Sequence, residues 1–299
     1  MIEITNITKK FDKTVAVDNL SLSVNAGSVL GLVGSNGSGK STLLRILSGV
    51  YEADEGEVII DGKSLFDNPK AKGICCFIPD FPFFYNNSTI DNIAFLYRDL
   101  YPNWSEKEFE RYCSVFPIKK DEKIINMSKG MQRQAALILA LSTCPKYLLL
   151  DEIFDGLDPV VRQLLKKILI ENVAERDMTV IIASHNLREL EDLCDRVCLM
   201  HKGKLLMERE IDAIKLGLRK VQIAFSDVPL DQNLFDGIDV LNIWRNGNIF
   251  NITIRGAEDE FIPKLNSLNP VYLSVLPLTL EEIFISEMGA AGYDINSII

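Results

Sequence analysis

Residues 34–42 read Gly-Ser-Asn-Gly-Ser-Gly-Lys-Ser-Thr, and their setting constrains the fold more than any other stretch. Ser28–Val33 (SVLGLV), directly before them, is a continuous apolar strand candidate. The residues that follow, TLLRILSGV, carry a helical pattern. This is G-x-x-x-x-G-K-[ST] in a strand–loop–helix context. The glycines let backbone N–H groups turn inward as an anion nest, and the helix N-terminus adds positive potential. The spacing therefore predicts a phosphate-binding loop formed by Ser35, Asn36, Gly37, Ser38, Gly39, Lys40, Ser41 and Thr42. Lys40 would reach the β- and γ-phosphates of a nucleotide, and the Ser41 hydroxyl would ligate Mg²⁺.

Three more apolar runs, Gly73–Ile78, Tyr147–Leu150 and Thr179–Ala183, alternate with helical patterns. Unbroken apolarity suggests strands covered on both faces, as in a parallel sheet. The run YLLL ends in Asp151-Glu152. Carboxylates at the C-terminal end of a buried strand sit where α/β folds bind ligands. Asp151 would hold Mg²⁺ through water, and Glu152 would act as general base on an attacking water. Between Asp80 and about Gly130 the chain becomes helical and aromatic, which reads as an inserted helical subdomain over about residues 82–135. After residue 215 the pattern changes to short strands. Asn246-Gly247 between Val240–Arg245 and Asn248–Ile254 is a hairpin signal. Thr279-Leu280-Glu281-Glu282 is a capping box opening a last helix to about Met288.

Composition limits the partners. Lys and Arg total 32 and Asp and Glu 42, a net charge of −10. Proteins that grip nucleic acid by its phosphates usually carry a basic excess, so no nucleic-acid partner is expected. No apolar run approaches the roughly 18 residues that span a bilayer, and the N-terminus has no secretory core, so a soluble cytoplasmic chain is expected. The six cysteines are too sparse for a disulfide scaffold and read as buried thiols. His201 belongs to no motif and reads as a surface residue.

Three further stretches narrow the class: Asn126–Arg133 (NMSKGMQR), Asp155–Pro159 (DGLDP) and Ser184-His185-Asn186. With the phosphate loop and the DE strand, in that order, they resemble the ATP-binding cassette (ABC) ATPases over about residues 1–210. The resemblance implies an α/β P-loop NTPase with a RecA-like core (residues 1–215), an inserted helical subdomain and a small C-terminal α+β domain (216–299). It implies ATP and Mg²⁺ as ligands and two cassettes, identical or different, closing head to tail on two ATP molecules. Ser128, Lys129, Gly130 and Met131 would then contact nucleotide on the opposite cassette, and Asp158 would communicate across the dimer. His185 would sense the γ-phosphate. Phe11, placed before the first cassette strands, would stack on adenine, and Val17 would belong to the ATP site; a core role for Phe11 is the competing reading.

Two positions depart from the family pattern. MSKGM stands where the family has LSGGQ, so Lys129 and Met131 replace a glycine and a glutamine. Asp80 stands where a glutamine follows the third strand, and its carboxylate could still reach Mg²⁺ or water. MSKGMQRQ, DGLDP, SHNLRELED and PLTLEEIFISEMGAAGYD resemble a narrower branch, the ATPases of bacitracin-resistance-type and peptide exporters. That branch implies a separate transmembrane permease and indirect attachment to the cytoplasmic face of the bacterial membrane. Phe81-Pro82-Phe83-Phe84-Tyr85 is then either the permease-docking patch or core of the helical insertion. The alternative class is a soluble ABC ATPase of translation or DNA repair, against which the single phosphate loop, the short insertion and the −10 charge all weigh.

Overall fold

The computed structural model describes residues 1–212, 218–226, 234–276 and 278–283. They fall into two units, Met1–Glu208 and Arg209–Ile299. The division lies a few residues before the 215/216 boundary expected from sequence.

Unit one starts with an antiparallel sheet that the apolar runs did not reveal. Strands β1 (Ile2–Phe11) and β2 (Thr14–Val24) form a hairpin in which Phe11 pairs with Thr14. Phe11 therefore ends the first strand rather than preceding it. Then come β3 (Val29–Val33), α1 (Lys40–Leu47), β4 (Glu55–Ile60), β5 (Lys63–Ser64), α2 (Pro69–Lys72) and β6 (Cys75–Ile78). Helices α3 (Ile90–Leu100), α4 (Glu106–Val115) and α5 (Lys129–Ser142) separate β6 from β7 (Tyr147–Asp151). The unit closes with α6 (Pro159–Arg176), β8 (Thr179–Ser184), α7 (Leu187–Leu190) and β9 (Arg196–His201), and β10 (Lys204–Glu210) runs across the boundary. The small sheet is ordered β2-β1-β4-β5 and the large one β10-β9-β3-β8-β7-β6.

In the large sheet β9, β3, β8, β7 and β6 pair in parallel. Every residue of β3, β7 and β8 is buried, as their unbroken apolarity requires. Their register sets the site. Val33 pairs with Ser184, and Asp151 pairs with Ala183. The start of the glycine loop, the Asp151-Glu152 pair and His185 consequently leave the sheet at one edge. Helix α1 packs Leu43, Leu44, Ile46 and Leu47 into the core between the two sheets.

The helical insertion is capped as its sequence implies. Thr89 and Asn92 form a reciprocal box at α3, and Ser105 and Ser128 accept from Glu108 N and Met131 N at the starts of α4 and α5. Phe109, Tyr112 and Phe116 are its buried aromatics. Helix α5 packs on α3, α4 and β6 and runs to Ser142, past the expected limit near residue 135. Cys75, Cys76, Cys194 and Cys198 are buried free thiols as expected, whereas Cys113 and Cys144 are partly exposed. Burial pushes the Cys75 and Cys198 thiols up to about 12. No helix among the described residues is long and apolar enough to cross a membrane.

Unit two is an antiparallel sheet ordered β12-β13-β11-β14, made of β11 (Leu218–Ala224), β12 (Val240–Asn246), β13 (Ile249–Arg255) and β14 (Tyr272–Leu276). The Asn246-Gly247 hairpin is present, with Gly247 at φ 60°. Helix α8 (Glu258–Ser267) buries Phe261 and Leu265 against Val221, Ile223, Ile252 and Ile254. The capping box is formed, since Glu282 N donates to Thr279 Oγ1 and Thr279 N to the Glu282 carboxylate. The remainder of the expected helix, to Met288, lies outside the described residues.

One polar cluster ties the two sheets of unit one together. Asp61, in the turn after β4, accepts from Lys146 Nζ and Tyr147 Oη, each at 2.6 Å, at the start of β7. It also accepts from the Met1 amino group at 2.9 Å. Burial opposes its ionisation, yet these three donors outweigh burial and hold the carboxyl well below the usual carboxylate range. A carboxyl whose folded pKa is depressed stabilises the fold above its unfolded value of 3.8, and that contribution is lost as pH falls further. Because the side chain is about one-third exposed, Asp61→Asn should cost only about 1 kcal/mol at pH 7. Urea denaturation at pH 7 and pH 3 should show the gap from the native chain shrinking at the lower pH.

Candidate nucleotide site

The glycine loop has the geometry its sequence requires. A Cβ on Gly34 (φ 158°) would lie 2.3 Å from the Met200 carbonyl oxygen, and one on Gly39 (φ 105°) 2.3 Å from that of Ala16. Only glycine fits such close backbone approaches. Lys40 is 5% exposed. Its ammonium donates to the carbonyls of Gly34 at 2.6 Å and Ser35 at 3.2 Å and lies 3.8 Å from Glu152. Burial lowers its pKa, and the charges of Glu152 and Asp151 oppose that. Ser38 Oγ is buried without a hydrogen-bond partner among the described residues, so the loop keeps a spare donor for an anion.

At the neighbouring strand ends, Ser41 Oγ donates to Asp151 Oδ1 at 3.1 Å. Burial raises the Asp151 pKa; the Ser41 hydrogen bond opposes the rise and the Glu152 charge adds to it. A desolvated carboxylate beside a hydroxyl is a donor set suited to a hard divalent cation such as Mg²⁺. Glu152 takes a left-handed backbone, φ 47°, which costs a non-glycine residue on the order of 1–3 kcal/mol and is found at functional sites. Its amide donates to Ala183 O at 2.9 Å, and its carboxylate meets His185 Nδ1 at 2.9 Å. Asp155 lies close enough that Glu152, Asp155 and His185 could share one cation.

A cleft of about 490 Å³ opens over Ser41 and Glu152, whereas Ser35, Asp151 and His185 do not line it. Asn36 to Thr42, Asp80 and Glu152 line it, as do Thr14, Val15, Ala16 and Lys202. These last four were missed from sequence. Thr14 to Ala16 enter through the hairpin bend, and Lys202 through the β9–β10 turn, whose Gly203 N donates to Ser38 O at 3.0 Å. Val17 is a correction: it is fully buried in the core cluster and offers no surface to a ligand. Phe11 is 41% exposed and stacks edge-on with Tyr51 at 5.4 Å, so it is not a core residue, and it does not line the cleft either.

Ser128, Lys129, Gly130, Met131 and Asp158 do not line this cleft. Within one chain, Ser128 caps α5, and Asp158 caps α6 by accepting from Val160 N and Val161 N at 3.0 Å. Asp80 lines the cleft, but its carboxylate is paired with Arg133. Glu189, on α7, is buried, meeting Arg162 at 3.3 Å and Ser184 Oγ at 3.2 Å. His201 is half-buried, with Nδ1 enclosed and without a partner among the described residues, rather than a surface residue.

A glycine nest after a buried parallel strand, with an acidic strand end beside it, defines a P-loop nucleotide-binding protein. Residues 17–155 match the family model described as ABC transporter. The ABC transporter ATP-binding protein YtrB of Bacillus subtilis (strain 168) is 31% identical over 293 residues, covering 97% of this chain and 98% of its own. The bacitracin transport ATP-binding protein BcrA of Bacillus licheniformis is 28% identical over 301 residues, covering 97% of both. A solved structure titled as the ATP-binding subunit of an ABC transporter superposes with a TM-score of 0.66 at 25% identity, over 72% of this chain and 92% of that one. The chain belongs to the ABC transporter family as an ATP-binding subunit, whose cassettes hydrolyse ATP to drive transport.

Lys202 adds an exposed cation to the rim of the cleft. Lys202→Ala should weaken nucleotide binding about threefold, because an exposed charge is worth less than about 1 kcal/mol. Titrating a fluorescent ATP analogue at low and high salt checks this; the deficit should shrink as salt rises.

Proposed function

We propose that this chain is the motor of a bacterial exporter, working on the cytoplasmic face of the membrane through a separate permease. The observation that carries the catalytic part is the single sheet edge on which Lys40, the Ser41–Asp151 pair and the Glu152–His185 pair converge. The exporter part is supported by the likeness to the bacitracin transport protein over 97% of both chains, a span that includes unit two. A peptide or antimicrobial compound is the cargo class this supports.

In this mechanism the nest amides and Lys40 bind the β- and γ-phosphates of ATP. Ser41, and Asp151 through water, would hold Mg²⁺, which would supply neutralisation of the phosphate charge. Glu152 takes a proton from water as the water oxygen attacks the γ-phosphorus, and the bond to the β–γ bridging oxygen breaks to leave ADP. His185 orients the Glu152 carboxylate and reports loss of the γ-phosphate. Ser128 and Gly130 of a second copy of this chain complete the site, which explains why they lie outside the cleft of one chain. The caps at Ser128 and Asp158 pre-organise those helix starts for the partner's phosphates.

Phe81, Phe83 and Tyr85 are exposed, Phe83 by 82%. Exposed aromatics favour an interface, and a chain of net charge −10 needs apolar docking rather than attraction to anionic lipid. Nucleic acid is no partner in this reading.

Glu152→Gln should keep ATP affinity, abolish steady turnover and leave an ATP-bound dimer detectable by gel filtration with light scattering. Normal turnover by that variant would remove Glu152 as the base. Phe83→Ser should leave basal ATPase activity unchanged and reduce the permease recovered with the tagged chain from native membranes. Undiminished recovery would remove the docking assignment.

A further inference from the structure

Arg133, the last residue of the Asn126–Arg133 stretch, lies on α5 and does not line the cleft, yet its guanidinium joins two loops of that site. It is 8% exposed. Nη2 pairs with the Asp80 carboxylate and donates to the Asp80 carbonyl at 3.1 Å. Nη1 donates to the Asp155 carbonyl. Asp80 lines the cleft beside Lys40, Ser41 and Glu152, and its charge is felt by Asp151. Asp155 belongs to the turn that follows Glu152, and its amide donates to Glu152 O at 3.2 Å.

The backbone of α5 meets the same turn. A Cβ on Gly130 would lie 2.5 Å from Gly156 O, and one on Gly156 (φ 71°) 3.2 Å from Arg133 Nη1. Glycines at both positions thus let the helix seat on the turn while the guanidinium reaches past it. Burial of an ion pair is poor evidence for stability, because desolvation offsets most of the attraction. The arrangement is better suited to fixing geometry: a planar fork with five donors can hold two loops at once, which a lysine cannot.

We propose that Arg133 is a positioning residue for hydrolysis, clamping the Asp80 segment to the turn that carries Glu152 and cancelling the Asp80 charge in the cleft. The clamp makes α5, the Asp80 segment and the Glu152 turn move as one body. Because Asp80 runs directly into the exposed Phe81, a shift imposed there reaches the Glu152 turn through this guanidinium. The proposal rests on the cleft being the ATPase site.

The test uses the full-length chain with Arg133→Gln, Arg133→Lys, Asp80→Gln and the Asp80→Gln/Arg133→Gln pair, thermal melting serving to confirm folding. Arg133→Gln should lower kcat at least tenfold and raise KM no more than about fivefold. The double variant should be no worse than Arg133→Gln alone, since both changes break one unit. Arg133→Lys should keep KM near the native value without restoring kcat, because one ammonium neutralises Asp80 but cannot hold both loops. Independently of activity, amide hydrogen exchange at Asp155–Leu157 should accelerate in Arg133→Gln. Unchanged exchange there, a kcat within twofold of the native chain, or additive losses in the double variant would each overturn the clamp. A native chain that hydrolyses no ATP while Arg133→Gln still accelerates exchange would instead refute the ATPase reading and leave the clamp standing.

Discussion

The site depends on the parallel pairing of three wholly buried strands. β3, β8 and β7 have no polar face to expose, so their backbone groups must pair with each other. Once Val33 is opposite Ser184 and Asp151 is opposite Ala183, the glycine loop, the acidic pair and His185 must emerge together. A slip of one residue would turn the end carboxylates toward the opposite face. The apolar registration that stabilises the sheet is thus also what assembles the chemistry.

Around that edge the structure spends stability on function. Lys40 is buried with its charge held by carbonyls and the nearby carboxylates, and Asp151 is desolvated beside Ser41. Glu152 adopts a left-handed backbone that a strand interior would never use. Ser38 Oγ is enclosed without a partner among the described residues. Each is unfavourable for an isolated fold, and each lies at the nucleotide site, where such features concentrate. Compensation comes from elsewhere, including the core around α1 and the Asp61 cluster that ties β4 to β7.

Much of the site was legible because local chemistry dictates it. A nest needs glycines at fixed offsets, and a strand-end carboxylate needs an apolar run before it, so Lys40, Ser41, Asp151 and Glu152 could be named from spacing. Val17 could not be placed correctly. The β1–β2 hairpin carries register shifts near Ile7, Lys9 and Lys10, and these irregularities decide that Thr14 to Ala16 face the cleft while Val17 faces the core. Lys202 left no local signal, and Arg133, though it ends the Asn126–Arg133 stretch, showed no role of its own there, since each reaches the site from an element distant in sequence. The aromatic run after Asp80 fitted both a core and a surface until its exposure separated the two.

The sequence by itself determined the class of fold, the phosphate loop, the acidic strand end, the hairpin at Asn246-Gly247 and the capping box at Thr279. The loop, the hairpin and the capping box follow from backbone sterics and hydrogen bonding within a few residues, and the class of fold from the alternation of apolar runs with helical patterns. Tertiary structure alone decided that Asp80 is neutralised by Arg133 rather than left free in the cleft, that Phe11 ends a strand against Tyr51, and that Gly130 seats on Gly156. These are contacts between segments far apart in the chain, and their geometry exists only after the sheet registers have brought those segments together.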